Sequence, residues 1–563
     1  MQTLDRGSRF QEIFLEQWRP YAWIIGVGAL LYFKSIFFDF CYFDDQELIV
    51  QNGAFLSNIS NIFQAFCMKV YPKILATPYY RPLLIVSFIL DAQVGGIFPF
   101  IYHLTNVAIH LAVSSLVFGL FVQLGCRKGV ALFFAMVFAV HPALTQAVAW
   151  VPGRNDSMLA AFAIASFIAF LKFIASESRK AYIWHLIFLL LAVFTKESAL
   201  ILVAMCYLYL LLFREKGQKA RVDLLMLAAG HITVCAIWFI PRYFVTRGSD
   251  PVTLFDVWNL IIPQLPAILQ LIGKAVLPVH QSVFPTMRES PCVFGIASAA
   301  LITALAVFSR KGSRRLIFFG AAWLMFFLVP PLIRSHAPVI NDVLEHRLYL
   351  PIIGLMIILM ELDLVKNGSA FKRKILAVAG IVILCLLFGK AFIYLDNFRN
   401  AEAFWENAVG GSPRSTFAHL KLGEVYYKHD RLDEAEVQIR QAMRLDFFSR
   451  YAGHYYLGHI YLKKGAVREA EKEFQKTLAL IPNNDWAYMS LGVLYYKAGR
   501  YGEAERMWKR SLEENADNAE SAKTLAIYYA EKKDFAAARY YVAWLRRLGV
   551  EAPKDFLKTI GEK

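Results

Sequence analysis

Apolar runs of membrane-spanning character, all lying before residue 396, constrain this chain more than any other feature. They cover 21–38, 102–124, 130–141, 157–174, 182–194, 198–213, 224–240, 293–308, 316–333, 348–362 and 375–395. A helix crossing a bilayer needs about 20 mostly apolar residues, so the shorter runs borrow polar flanks to complete a span. The run 260–279 is also apolar but carries Pro263, Pro266 and Pro278; it reads as a re-entrant or interfacial segment, and whether it crosses stays open. With 57% hydrophobic residues among 563, the chain falls outside the soluble globular class. From residue 396 onward the composition changes to that of a charged, soluble helical domain. The expected fold is all-α: a polytopic membrane domain over 1–395 with about 11 transmembrane helices, then a helical domain over 396–563.

Charge orients the chain. The net charge is +16, but much of the excess sits in short loops between apolar runs, which is the positive-inside pattern and argues against a nucleic-acid partner. Arg6, Arg9 and Arg19 precede the first run. Later basic loops hold Arg127 and Lys128; Arg179 and Lys180; Arg214, Lys216, Lys219 and Arg221; Arg310, Lys311, Arg314 and Arg315; and Lys366, Lys372, Arg373 and Lys374. Eleven crossings put all of these on the cytosolic side, with a cytosolic N-terminal leader that is not cleaved. The C-terminal domain then emerges on the far side, periplasmic or extracellular, or ER-luminal in a eukaryote. The largest external loop is 39–99. The seven cysteines include no CxxC pair and no His/Cys cluster, so no zinc site is expected. Cys41 and Cys67 share the first external loop, where a disulfide and two separate thiols fit equally.

The C-terminal region repeats itself. Leu422-Gly423 with Tyr426 recurs as Leu457-Gly458 with Tyr461, then Leu491-Gly492 with Tyr495, then Leu525-Ala526 with Tyr529, at steps of 35, 34 and 34 residues. The tetratricopeptide (TPR) helix pair has a period of about 34. Ala435, Ala470, Ala504 and Ala538 recur in each second helix, where small side chains let paired helices approach. Ala401, Trp405, Ala408 and Pro413 are in phase with the second helix of an earlier half repeat. Stacked pairs form a TPR α-solenoid whose groove suits an extended peptide.

Several polar residues are predicted toward the external face. Asp44 and Asp45 lie just past the first run; a carboxylate there is costly without a use or a partner. A general base and a helix-end cap or solvated pair are the two readings. Tyr80 and Arg81 precede the second run, whose outer half holds His103, Asn106 and His110. His141, Arg154 and Asp156 share one external segment, Lys196 and Glu197 break another apolar stretch, and Glu345, His346 and Arg347 open the tenth run. Each alone reads equally as a snorkelling cation, a cap or a satisfied buried group. Gathered on one face, they predict a polar cavity at the membrane boundary.

The order of these features resembles the GT-C glycosyltransferases, and within them the transmembrane-and-TPR protein O-mannosyltransferases (TMTC) and their prokaryotic relatives. The likeness is carried by Phe43-Asp44-Asp45 with Val50 and Asn52, Tyr80-Arg81-Pro82-Leu83, Tyr102-His103-Leu104 with Asn106 and His110, His141-Pro142 with Ala147-Val148-Ala149-Trp150, Gly153-Arg154 with Asp156, Lys196-Glu197, and Glu345 with Arg347-Leu348-Tyr349-Leu350-Pro351. Gln146 and Leu144 stand where family members often have an acid and a second His. The resemblance implies inverting transfer of a sugar, mannose in the family, from a polyprenyl-phosphate donor to a hydroxyl, most simply of protein Ser or Thr. A carboxylate takes the acceptor proton, Asp44 first and Asp45 next. Arg347 and Arg81, with Lys196 and Arg154 as second choices, meet the charge growing on the leaving phosphate. Tyr80, His103, His110, His141, Asp156, Glu197 and Glu345 line the cavity. Divalent-metal dependence stays open, since GT-C enzymes differ on it; the sequence names no metal ligand. The competing readings are transfer to a glycolipid or surface glycan, and a membrane-anchored TPR scaffold without catalysis. A transporter is disfavoured, because no paired half-length repeats occur.

Overall fold

A computed structural model describes residues 14–71, 79–213, 224–247, 262–332, 343–366, 370–446 and 449–561. The N-terminal leader up to residue 13, residues 72–78 of the loop 39–99 and the basic loop at 214–221 lie outside the described residues. The chain divides into two compact units, Met1–Ser412 and Pro413–Lys563, and the described elements of both are helices.

The first unit contains α1 (Arg19–Tyr32, extended by a 3-10 turn to Phe37), α2 (Pro82–Gly95), α3 (Pro99–Gln123), α4 (Lys128–Val140), α5 (Thr145–Ala149), α6 (Arg154–Ser176) and α7 (Arg179–Thr195). It continues with α8 (Ile201–Phe213), α9 (Leu224–Thr246), α10 (Leu265–Val276), α11 (Val293–Phe308), α12 (Arg314–Leu328), α13 (Ile352–Met360), α14 (Ala370–Leu395) and α15 (Ala401–Gly411). Among the described residues six helices are long and apolar enough to cross a membrane, and a seventh if α4 and the segment Pro142–Ala149, bent by 52°, count as one span. The remaining runs of the expected eleven correspond to helices of only 9 to 17 residues. Ile232 and Phe239 on α9, Leu301 on α11, and Val378, Ile381, Leu386 and Ile393 on α14 are all exposed. Such a surface requires lipid, and the protein is a multi-pass membrane protein.

Close helix approach depends on small residues here, as is usual in membranes. Gly354 of α13 faces the Gly320 carbonyl of α12, where a Cβ would collide with the backbone. Gly273 of α10 meets Gly295 of α11 in the same way. Between α1 and α3, Leu84, Phe88 and Ile89 of α2 pack with Leu48, Ile49, Leu56 and Ala65 into one apolar cluster. Cys41 is buried and Cys67 exposed, and both are free thiols, so the disulfide alternative is not realised.

The second unit stacks α16 (Thr416–Lys428) on α17 (Leu432–Leu445), α18 (Arg450–Lys463) on α19 (Val467–Leu480), α20 (Asp485–Lys497) on α21 (Tyr501–Glu514) and α22 (Ala519–Glu531) on α23 (Phe535–Arg547), ending in α24 (Lys554–Thr559). Ser415, Asn484, Asn518 and Asp534 cap the first turns of α16, α20, α22 and α23 by accepting backbone N–H bonds, which satisfies donors the helix leaves open. Ala435, Ala470, Ala504 and Ala538 are fully buried where the pairs cross. Each turn between paired helices has one residue in the left-handed region: Asp430, Gly465, Gly499 and Lys533, with φ of 62°, 76°, 75° and 63°.

Candidate active site

The chain leaving α1 makes a tight, fully bonded turn. Asp45 accepts from Cys41 N at 2.6 Å and from Phe43 N at 2.8 Å. It is 1% exposed. Burial pushes its carboxyl up to about 6, against the pull of the backbone N–H groups. Phe43 anchors the turn from the other side. Its ring stacks on Trp150 at 5.3 Å and meets Phe284 and Trp405 edge-on at 5.7 and 5.6 Å. Trp405 of α15 also donates to Cys41 O at 3.2 Å. Between these two anchors, Asp44 is half-buried and shares a hydrogen bond with the Tyr71 hydroxyl. Burial and then the Asp44 charge raise the Tyr71 pKa, while Arg81 lowers it, so acid, phenol and guanidinium are close neighbours.

Arg81 stands at the head of α2. Its guanidinium binds Glu197 through two bonds, Nη2 to Oε1 at 2.7 Å and Nε to Oε2 at 3.1 Å. With the Asn155 amide oriented to satisfy both neighbours, Asn155 accepts from Arg81 Nη1 at 2.8 Å and donates to Thr195 O at 2.9 Å. Tyr79 lies under the guanidinium at 4.4 Å. Lys196 leaves the α7 helix with extended backbone and places its Nζ 2.7 Å from Asp156 Oδ1 in the first turn of α6. His346 Nε2 lies 3.9 Å from the other Asp156 oxygen. The His346 backbone N–H donates to Gln146 Oε1 at 3.1 Å, and its Nδ1 sits 3.2 Å from the same oxygen. Trp150 packs against both His346, at 5.4 Å, and Phe43, which links the Lys196–Asp156–His346 group to the turn that carries Asp44, while Glu197 and Asn155 tie Arg81 to the neighbours of Lys196 and Asp156.

Other predicted site residues are engaged elsewhere. Arg154 is 0% exposed, paired to Asp91 at 2.6 Å. It also donates to Asn106 Oδ1 at 2.6 Å, Tyr102 O at 2.7 Å and Ser87 Oγ at 3.2 Å. Its donors tie α2, α3 and α6 together. His110 bridges the Tyr349 hydroxyl at 2.6 Å and Ala139 O at 2.9 Å. His141 Nδ1 accepts from Ala143 N, and its Nε2 bonds Ala275 O at 3.1 Å. His103 is buried beside Phe38, and Tyr80 donates to Phe66 O at 3.0 Å. Glu345 is fully buried and paired with Lys274 at 2.7 Å; Arg347 is buried on the same turn. Among the described residues no group of three or more His, Cys, Asp or Glu side chains is arranged to hold a metal.

Sequence reading missed Tyr71, Asn155 and Lys274. Only Lys274 left a signal, as a lone cation inside the apolar run at 260–279. Gln146 stood out as a departure from the family pattern, and the structure gives it the His346 contact.

A multi-pass membrane body with buried ion pairs, joined to a TPR array, defines the class. Tetratricopeptide repeat family models match residues 461–528 and 386–446, the second reaching back through α15 into α14. Over 91% of its length the chain is homologous, at 24% identity, to the mouse protein O-mannosyl-transferase TMTC3, of which it covers 65%. It is 23% identical to protein O-mannosyl-transferase F38B6.6 of Caenorhabditis elegans over 75% of this chain and 62% of that one. Human protein O-mannosyl-transferase TMTC2 is 34% identical over 28% of this chain and 19% of that one. The resemblance to the TMTC type holds, and the chain spans about two thirds of the length of the mouse relative.

Proposed function

We propose that this chain is a membrane glycosyltransferase that moves a sugar, mannose as in the names of its relatives, from a polyprenyl-phosphate donor to a Ser or Thr hydroxyl of an acceptor protein, with inversion. One observation carries the assignment of roles: Asp45 commits both carboxylate oxygens to its own turn, while Asp44 faces Tyr71 within the field of Arg81. Asp44 takes the acceptor proton as the hydroxyl oxygen attacks the anomeric carbon. The bond from that carbon to the phosphate oxygen breaks in the same step, and the electron pair leaves with the phosphate. The transition state is oxocarbenium-like, so the carboxylate also stabilises it electrostatically. Arg81 and Lys196, with Arg347, meet the charge growing on the leaving group. Asp156 and Glu197 hold the two cations in place until the donor arrives.

In this reading the N-terminus is cytosolic, the site opens on the opposite side, and the TPR groove holds an extended acceptor segment. The test is direct. Purified protein is incubated with polyprenyl-phosphate mannose and a peptide pool, and products are read by mass spectrometry and by NMR of the anomeric proton. Peptide O-mannosylation with inverted anomeric configuration is expected. Transfer only to a glycolipid would replace the acceptor assignment, and no transfer from any lipid-phosphate sugar would overturn the reading.

A further inference from the structure

The α10 helix begins in the proline-interrupted run that the sequence left undecided between a crossing and a surface segment. It carries a cation, Lys274, that is only 5% exposed. Lys274 Nζ donates to Glu345 Oε1 at 2.7 Å. The other Glu345 oxygen accepts from Gln281 at 3.3 Å. Glu345 opens the 3-10 turn Glu345–Leu348, and the next residue, His346, is the one that reaches Gln146, Trp150 and Asp156. The segment after α10 is fastened to the same place. Gln146 donates to Val283 O at 2.8 Å, and Val343 N donates to Pro285 O at 2.8 Å. A 3-10 turn of four residues has little stiffness of its own. Its position depends on the bonds its residues make; Gln146 holds His346, and the shortest bond to the first residue comes from a buried charge on α10.

We propose that Lys274 is a positioning residue for the candidate active site: its buried ion pair with Glu345 fixes the turn that presents His346 beside Asp156 and carries Arg347. The catalytic part of this inference rests on the glycosyltransferase reading; the structural part does not. The α10–α11 hairpin is then a support for the site as well as part of the membrane body. Lys274→Gln alone leaves an uncompensated buried carboxylate and endangers folding. The informative variant is the double substitution Lys274→Met with Glu345→Gln, which leaves no buried charge and nearly keeps the volume.

Full-length protein in nanodiscs is compared as wild type, the double variant and Lys274→Arg, with melting followed for each. The double variant is expected to stay folded while kcat for transfer drops about 100-fold, the size of effect that a misplacement of about 1 Å produces. Lys274→Arg, which keeps the cation, recovers most of that loss. In parallel, acylation of His346 by diethyl pyrocarbonate is followed by peptide mass spectrometry. In the wild type His346 is buried among Gln146 and Trp150 and reacts slowly; in the double variant it reacts at least about tenfold faster, as a turn released from its anchor must. A folded double variant with wild-type turnover and unchanged His346 acylation overturns the proposal. If the wild type transfers no sugar, the functional reading fails on its own, and the acylation rate alone decides whether Lys274 sets the turn.

Discussion

The two units use charge in opposite ways. In the TPR unit most ion pairs join neighbours on one helix face: Lys421 with Glu424, Arg431 with Glu434, Arg440 with Glu436, Lys476 with Glu473, Lys509 with Glu505. They are solvated and three or four residues apart, and each contributes about 0–1 kcal/mol. In the membrane unit the central pairs join distant elements and are largely buried: Arg154 with Asp91, Lys196 with Asp156, Lys274 with Glu345. Removing one partner of a buried pair costs about 3–5 kcal/mol. Charge therefore decorates a fold already set by repeats in one unit and determines packing in the other.

The sharpest break of that contrast is Arg154→Met. It strands Asp91 in the interior and should cost about 3–5 kcal/mol, read as loss of monodisperse protein in detergent. Survival of a wild-type melting temperature would mean that Arg154 does not tie α2, α3 and α6 together. Next in size, Gly492→Ala puts a Cβ against the Trp508 indole and should destabilise the TPR unit by about 1–3 kcal/mol, seen in its denaturant midpoint.

The units should also answer pH with opposite signs. Asp45 titrates at about 6 in the fold against an ordinary 3.8, so its contribution is complete below the lower value and is lost as pH rises through the higher one. Glu436 and Glu505 are held at about 2 from an ordinary 4.5: burial opposes this, and hydrogen bonds led by those from Lys464 and Lys509 outweigh it. Their contribution is present above 4.5 and is lost as pH falls toward 2. Melting followed by unit-specific fluorescence should show the membrane unit weakening as pH rises from about 4 to 6, with Asp45→Asn flattening that slope, while the TPR unit weakens as pH falls below about 4.5. The smallest effect is Lys533→Gly, which relieves a left-handed residue and should raise TPR stability by about 1 kcal/mol.

This contrast also explains what could be read from the sequence. The TPR array was legible because its determinants are local: the Leu-Gly pair, the alanine in the second helix and the turn recur at one period. The long spans were legible from hydropathy; that Arg81 pairs with Glu197 and Lys196 with Asp156 was not, because each pair joins elements far apart in the chain. Arg154 read as a phosphate ligand because its partner, Asp91, lies on a different helix and no spacing rule connects them. His110 and His141 read as cavity residues for the same reason, since a buried His satisfied by a distant carbonyl looks like an exposed one in sequence. The separation of Asp44 from Asp45 was not legible at all, because it depends on which carboxylate folds back onto its own backbone.

That separation is the centre of the account, and one side-by-side measurement tests it: sugar transfer by Asp44→Asn and Asp45→Asn, each scored against its own melting temperature. Asp44→Asn should melt like the wild type and lose turnover by at least about 100-fold, as removal of a positioned general base does. Asp45→Asn should melt lower, with turnover falling only as far as the folded fraction. A folded Asp44→Asn protein with wild-type turnover would contradict the account.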